Sequence, residues 1–132
     1  TDMSGTQVSN EIFSEYKLTL VNLWGTWCSP CVAEMPDLQK LYEKYNEDGL
    51  NVIGVTEDAY GNEELIQKIV ETQGVNYMIL YPSDQFYDDF VSLCFSFPSS
   101  LLVDSDGKVL TTVMGVPGYE KLDGIVADAL QQ

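Results

Sequence analysis

The chain has 132 residues, 45% of them hydrophobic, which suits one compact domain spanning residues 1–132 with a core of its own. Six Lys oppose 21 Asp and Glu for a net charge of −15, so no basic stripe is available for nucleic acid or an anionic membrane surface. His and Arg are both absent, which excludes Ser–His and Cys–His catalysis, His-ligated metals and a guanidinium clamp for phosphate, carboxylate or peroxide. The acidic excess reads first as a solvated surface, with steering toward a basic partner as the alternative.

No apolar run approaches the roughly 20 residues of a membrane span, and no charged-then-apolar leader opens the chain. The start at Thr1-Asp2-Met3 is that of a mature or trimmed chain. Lys17 to Trp24 is apolar and β-branched, as a buried strand requires. Ser29 to Tyr45 follows as a helix, with Val32, Met35, Leu38, Leu41, Tyr42 and Tyr45 at spacings of three and four and a kink expected at Pro36. Asn46 to Gly49 ends it, and Leu50 to Val55 is the next buried strand. Asn62 is placed to cap a helix running to about Thr72, with Glu63 and Glu64 in its first turn and Gly74 closing it. Tyr77 to Leu80 is a short strand and Gln85 to Leu93 a helix. Leu101 to Asp104 and Lys108 to Met114 form a hairpin around Ser105-Asp106-Gly107, and Leu122 to Leu130 lies on a terminal amphipathic helix. The order β-α-β-α-β-α-β-β-α predicts an α/β fold with a central mixed sheet: parallel strands inside, an antiparallel hairpin at the edge, helices on both flanks.

The chemistry concentrates at Trp27-Cys28-Ser29-Pro30-Cys31, directly after a buried strand and opening a helix. The first turn of a helix offers unpaired N–H groups and the positive end of the macrodipole, which favour thiolate over thiol. Cys28 sits at that mouth, expected to be exposed, as the nucleophile. Cys31 lies one turn inside as the resolving thiol, near enough to close a small ring. Pro30 stiffens that ring and Ser29 adds no charge. The third cysteine, Cys94, reads as a buried inert thiol, with a third redox cysteine as the alternative. Three cysteines without His supply no structural zinc set, so neither a metal nor a bound cofactor is expected beyond the redox-active pair itself.

Two patches in the right order carry a family likeness. Val21-Asn22-Leu23-Trp24-Gly25-Thr26-Trp27-Cys28-Ser29-Pro30-Cys31 with Glu34-Met35-Pro36, and Phe97-Pro98-Ser99-Ser100-Leu101-Leu102-Val103-Asp104 with Asp106-Gly107-Lys108, resemble the TlpA/ResA-like branch of the thioredoxin superfamily. The resemblance runs from about Asp2 to the C-terminal helix. It implies a single thioredoxin-like domain with that branch's insertion between Val55 and Pro98. It also implies a cis Phe97–Pro98 bond facing the disulfide, with the backbone of Phe97 turned toward a bound polypeptide. Trp27, Ser29, Pro30, Phe97 and Pro98 are then the substrate-binding residues, and Trp24 and Trp27 are the aromatics to divide between core and docking surface.

The implied activity is thiol–disulfide exchange, with electrons donated to protein disulfides outside the cytoplasm. The implied protein is a monomer, anchored through a segment lying outside this sequence and recharged by a membrane-borne donor. Apocytochromes and metal-site proteins are among the implied partners. Two departures matter. Asn22 stands where thioredoxin proper has a titrating Asp, and Ala59 falls where the branch places a substituting acid. Glu57 or Asp58 is therefore the candidate proton acceptor after a small register shift, with solvated loop carboxylates as the plainer reading and Glu34 as a further candidate more often found at a surface. A cytoplasmic general thioredoxin and a non-enzymatic thioredoxin-fold adaptor are the rival functions. A peroxiredoxin fails for want of Arg, and a copper chaperone for want of His and a wider Cys spacing.

Overall fold

A computed structural model describes residues 1–89 and 97–131. After a 3₁₀ helix at Asn10–Glu15 come β1 (Leu18–Trp24), α1 (Ser29–Tyr45), β2 (Leu50–Thr56), α2 (Glu63–Gln73), β3 (Met78–Leu80), α3 (Asp84–Asp89), β4 (Ser99–Asp104), β5 (Val109–Met114) and α4 (Tyr119–Leu130). The strands form one sheet in the order β3-β2-β1-β4-β5. β1 and β2 pair in parallel, as do β2 and β3; β4 runs antiparallel to both β1 and β5. This is the mixed, helix-flanked sheet expected from the alternation of apolar runs, with the hairpin closing one edge.

The period-2 alternation of side chains along β1 divides the interior in two. Leu18, Leu20 and Trp24 join Met35, Leu38 and Leu41 of α1, Ile66 of α2 and Leu122 and Val126 of α4 in the larger core. Val21 and Leu23 join Ile53, Val55, Leu101 and Val103 on the opposite face, against Ile12, Phe13 and Phe86. A cavity of about 600 Å³ remains on that second side, between the N-terminal 3₁₀ helix and the start of α3. β1 and β2 are buried along their whole length, which is why both read as continuous apolar runs.

Local expectations diverge at two places. The N-terminal 3₁₀ helix carries no strong periodicity and was not anticipated. Asn62 occupies the N-cap position of α2, but its side chain donates to the Asp58 carbonyl at 2.7 Å instead of capping, and the Glu63 carboxylate takes the Gly61 N–H. The end of the helix expected to reach Leu93, and Cys94 with it, lie outside the described residues. Among the described residues no helix is long and apolar enough to cross a membrane.

Candidate active site

The sheet delivers the two cysteines to the end of β1. Backbone Cys28 N–H donates to the Gly25 carbonyl at 3.1 Å, closing the turn, and Val32 N–H donates to the Cys28 carbonyl at 3.1 Å, opening the helix. Cys28 is thus the N-cap of α1, with Pro30 in the first turn. Its Sγ accepts the backbone N–H of Cys31 at 3.3 Å, one of the orphan donors of the helix start. The two sulfurs are joined in a disulfide, with the Cα atoms 5.2 Å apart. Expected exposure of Cys28 is corrected here: it is only 3% exposed and Cys31 fully buried, while Trp27, Ser29 and Pro30 around them face solvent. Cys28 folds its short side chain back over the first turn to cap it, so its neighbours border the approach to the sulfur.

One turn along α1 from Cys31 lies Glu34, the further candidate of the sequence that would more often be found at a surface. It is 2% exposed. It stands on the same face of α1 as Cys31, the face that also carries Met35, Leu38 and Leu41. The Asn22 side-chain amide donates to Glu34 Oε1 and to Ser100 Oγ, both at 3.1 Å, so β1 and β4 together hold it. Among the described residues Glu34 Oε2 and Asn22 Oδ1 have no partner. Burial raises the Glu34 pKa to about 7, the Asn22 bond opposes the shift, and the charge of Asp37 adds to it. Tyr77 feels the same pocket: burial and the nearby Glu34 charge push its hydroxyl well above the usual phenol range.

Glu57 and Asp58, the acceptors expected from the sequence, are occupied elsewhere. Asp58 Oδ1 accepts the Thr26 N–H at 2.9 Å and Oδ2 accepts the Thr26 hydroxyl. Glu57 accepts the indole N–H of Trp27, while its own backbone N–H donates to the Trp24 carbonyl at 2.8 Å. Neither is bonded to a sulfur; both brace the Gly25–Trp27 loop. Ala59, at the position where an acid was sought, is buried. The aromatics divide cleanly: Trp24 is fully buried and Trp27 is 62% exposed. The Trp27 ring meets Phe97 edge-on at 5.8 Å and 75°. The Phe97–Pro98 peptide is cis, Phe97 is half-buried and Pro98 buried. The structure therefore joins Trp27 to Phe97 across two distant segments, leaves Ser29 and Pro30 exposed beside them, and bonds Glu57 and Asp58 to the Gly25–Trp27 loop.

The fold is that of solved thiol–disulfide exchange proteins. A thiol:disulfide interchange protein of the thioredoxin family from Chlorobium tepidum TLS superposes with a TM-score of 0.84 at 23% identity, covering 98% of this chain and 90% of that one. One from Bacteroides sp. gives 0.83 at 26% identity, covering 99% and 84%. Such a fold with a Cys-x-x-Cys disulfide at the mouth of its first long helix defines a thiol–disulfide oxidoreductase. In sequence, the thiol-disulfide oxidoreductase ResA of Bacillus thuringiensis (strain Al Hakam) is 32% identical over 94% of this chain and 69% of its own length. The chain belongs to the AhpC/TSA family, whose model matches residues 1–112.

Proposed function

We propose that the protein reduces disulfides in other polypeptides by cycling Cys28 and Cys31 between dithiol and disulfide. The observation that carries this is the N-cap bond from Cys31 N–H to Cys28 Sγ, which places helix-terminal positive charge on the sulfur that must leave and attack as an anion. In the reduced enzyme the Cys28 thiolate attacks one sulfur of the substrate disulfide. A mixed disulfide forms and the first substrate sulfur departs as thiolate. Cys31 then gives its proton to Glu34 and attacks Cys28 Sγ, the second substrate sulfur leaves, and the Cys28–Cys31 bond seen here remains. A carboxyl with a pKa of about 7 is matched to that transfer near neutral pH.

Donation of electrons is favoured over oxidation because Ser29-Pro30 puts no charge or His between the sulfurs. The likeness to the ResA branch supports work outside the cytoplasm with a membrane-borne electron donor, and protein disulfides, those of apocytochromes or metal-site proteins included, as substrates. It likewise supports a monomer without a bound cofactor. An insulin-reduction assay tests the core of this reading. Turnover is expected to survive Cys94→Ser and vanish in Cys28→Ser; an inactive wild type would favour the adaptor. Cys31→Ser is expected to trap mixed disulfides in cells, and their identification by mass spectrometry names substrate and compartment together.

A further inference from the structure

Trp27 is the most solvent-exposed aromatic beside the disulfide, yet it is held at three points. Its ring lies over Gly25 so closely that a Cβ there would stand 2.5 Å from Nε1 and 2.9 Å from Cε2, so any larger residue at 25 would push the ring from its place. Its N–H is taken by Glu57, and its edge rests on Phe97. Glu57 is anchored in turn by its backbone bond to the end of β1. A large apolar ring 62% open to water gains little for stability by being fixed, whereas a fixed ring spares a binding partner the cost of ordering it. Trp27 adjoins Cys28, and Phe97, which it meets, packs against the core cluster that holds Cys28 and Cys31, so the aromatic pair lies beside a sulfur that is itself scarcely exposed.

Resting on the reading of the protein as a disulfide reductant, we propose that Glu57 is a specificity-determining positioning residue: by latching the Trp27 indole over Gly25 and against Phe97, it makes a preformed aromatic wall that selects disulfides carried on a polypeptide over small disulfides. A polypeptide presents residues on either side of its cysteine that lie along such a wall. A small disulfide reaches the sulfur without touching it. Glu57 takes no proton in the exchange, and its loss acts through the indole alone.

The test uses pre-reduced enzyme mixed with insulin or with hydroxyethyl disulfide, the reaction being followed by acid quench and thiol labelling. Glu57→Ala is expected to lower the second-order rate constant for insulin about tenfold, the equivalent of one charge-assisted hydrogen bond. The rate with hydroxyethyl disulfide stays within a factor of two, so the ratio of the two constants falls. Glu57→Gln keeps an acceptor for the indole and restores most of the ratio. On a Trp27→Phe background, which has no N–H to hold, Glu57→Ala adds nothing further. Equal losses for both substrates, or additive losses in the double variant, would overturn the assignment while leaving the reductase intact. A wild type that reduces neither disulfide would overturn the underlying reading and this inference with it.

Discussion

Two sets of carboxylates come from the elements around the disulfide, and they differ in burial and in what they hold. Glu34 comes from the inner face of α1, is buried, and among the described residues has one donor, Asn22, for its two oxygens. Glu57 and Asp58 come from the loop after β2 and are half-exposed; Asp58 accepts from Thr26 with both oxygens, and Glu57 accepts the Trp27 indole N–H with Oε1. A carboxyl buried in apolar surroundings is poised to change protonation state; one half-exposed and bonded to a loop's donors is poised to hold that loop. Nearness to the cysteines in an alignment does not distinguish the two roles, but burial and bonding do.

The largest expected effect falls on the buried member. Glu34→Gln keeps the shape and the bond to Asn22 but cannot accept a proton. The resolving attack by Cys31 is expected to slow by about a hundredfold at pH 7, within the range of general-base contributions. The inflection near pH 7 in its rate profile should disappear as well. Rapid-quench measurement of mixed-disulfide decay would show both. A profile unchanged in Glu34→Gln but altered in Asp58→Asn would reverse the comparison.

A second consequence concerns stability. The unfolded chain releases the Glu34 proton near the ordinary carboxyl value of 4.5, the folded chain only near 7. Between those values the folded state holds a proton that the unfolded state has lost, so this group lowers stability as pH rises through the window and levels off above it. The shift corresponds to roughly 3 kcal/mol, since one pKa unit is about 1.4 kcal/mol. Urea unfolding of the wild type and Glu34→Gln, compared at pH 4 and pH 8, is expected to show the variant gaining on the wild type by that order. Parallel curves at both pH values would remove Glu34 from the linkage.

Much of this site was visible before the fold. A buried strand running into Cys-x-x-Cys at a helix start fixes the position of the sulfurs, and strand alternation fixes the mixed sheet, because both depend on local periodicity. Glu34 was visible in part. Cys31, Glu34, Met35, Leu38 and Leu41 follow the three-and-four spacing of one helical face, so a carboxylate in that series is a carboxylate on the buried stripe. Only the default expectation that Glu lies outside obscured it. The roles of Glu57 and Asp58 were not legible, because their partners Trp27 and Thr26 lie across the β1–β2 crossover and no spacing rule links them. The same holds for the Trp27–Phe97 contact and for Ser100 behind Asn22, which exist only once β4 is laid beside β1.

The smallest effect sharpens the other half of the comparison. Asp58 accepts both the backbone N–H and the hydroxyl of Thr26, two residues before Cys28, and it does so where water still competes. Asp58→Ala therefore leaves the Thr26 N–H to solvent instead of burying it unpaired. The expected loss is about 1–2 kcal/mol, less than a buried charged pair would cost. Because the loop carries Trp27 and leads into the N-cap, part of that loss should appear as faster amide exchange at Thr26, Trp27 and Cys28, with exchange in the β1 core unchanged. Thr26→Val removes the hydroxyl partner alone and should reproduce only a fraction of the effect. If Asp58→Ala instead shifted the pH dependence of disulfide exchange while leaving loop protection intact, Asp58 would belong with Glu34, and the division between a proton-carrying carboxyl and loop-holding ones would have to be redrawn.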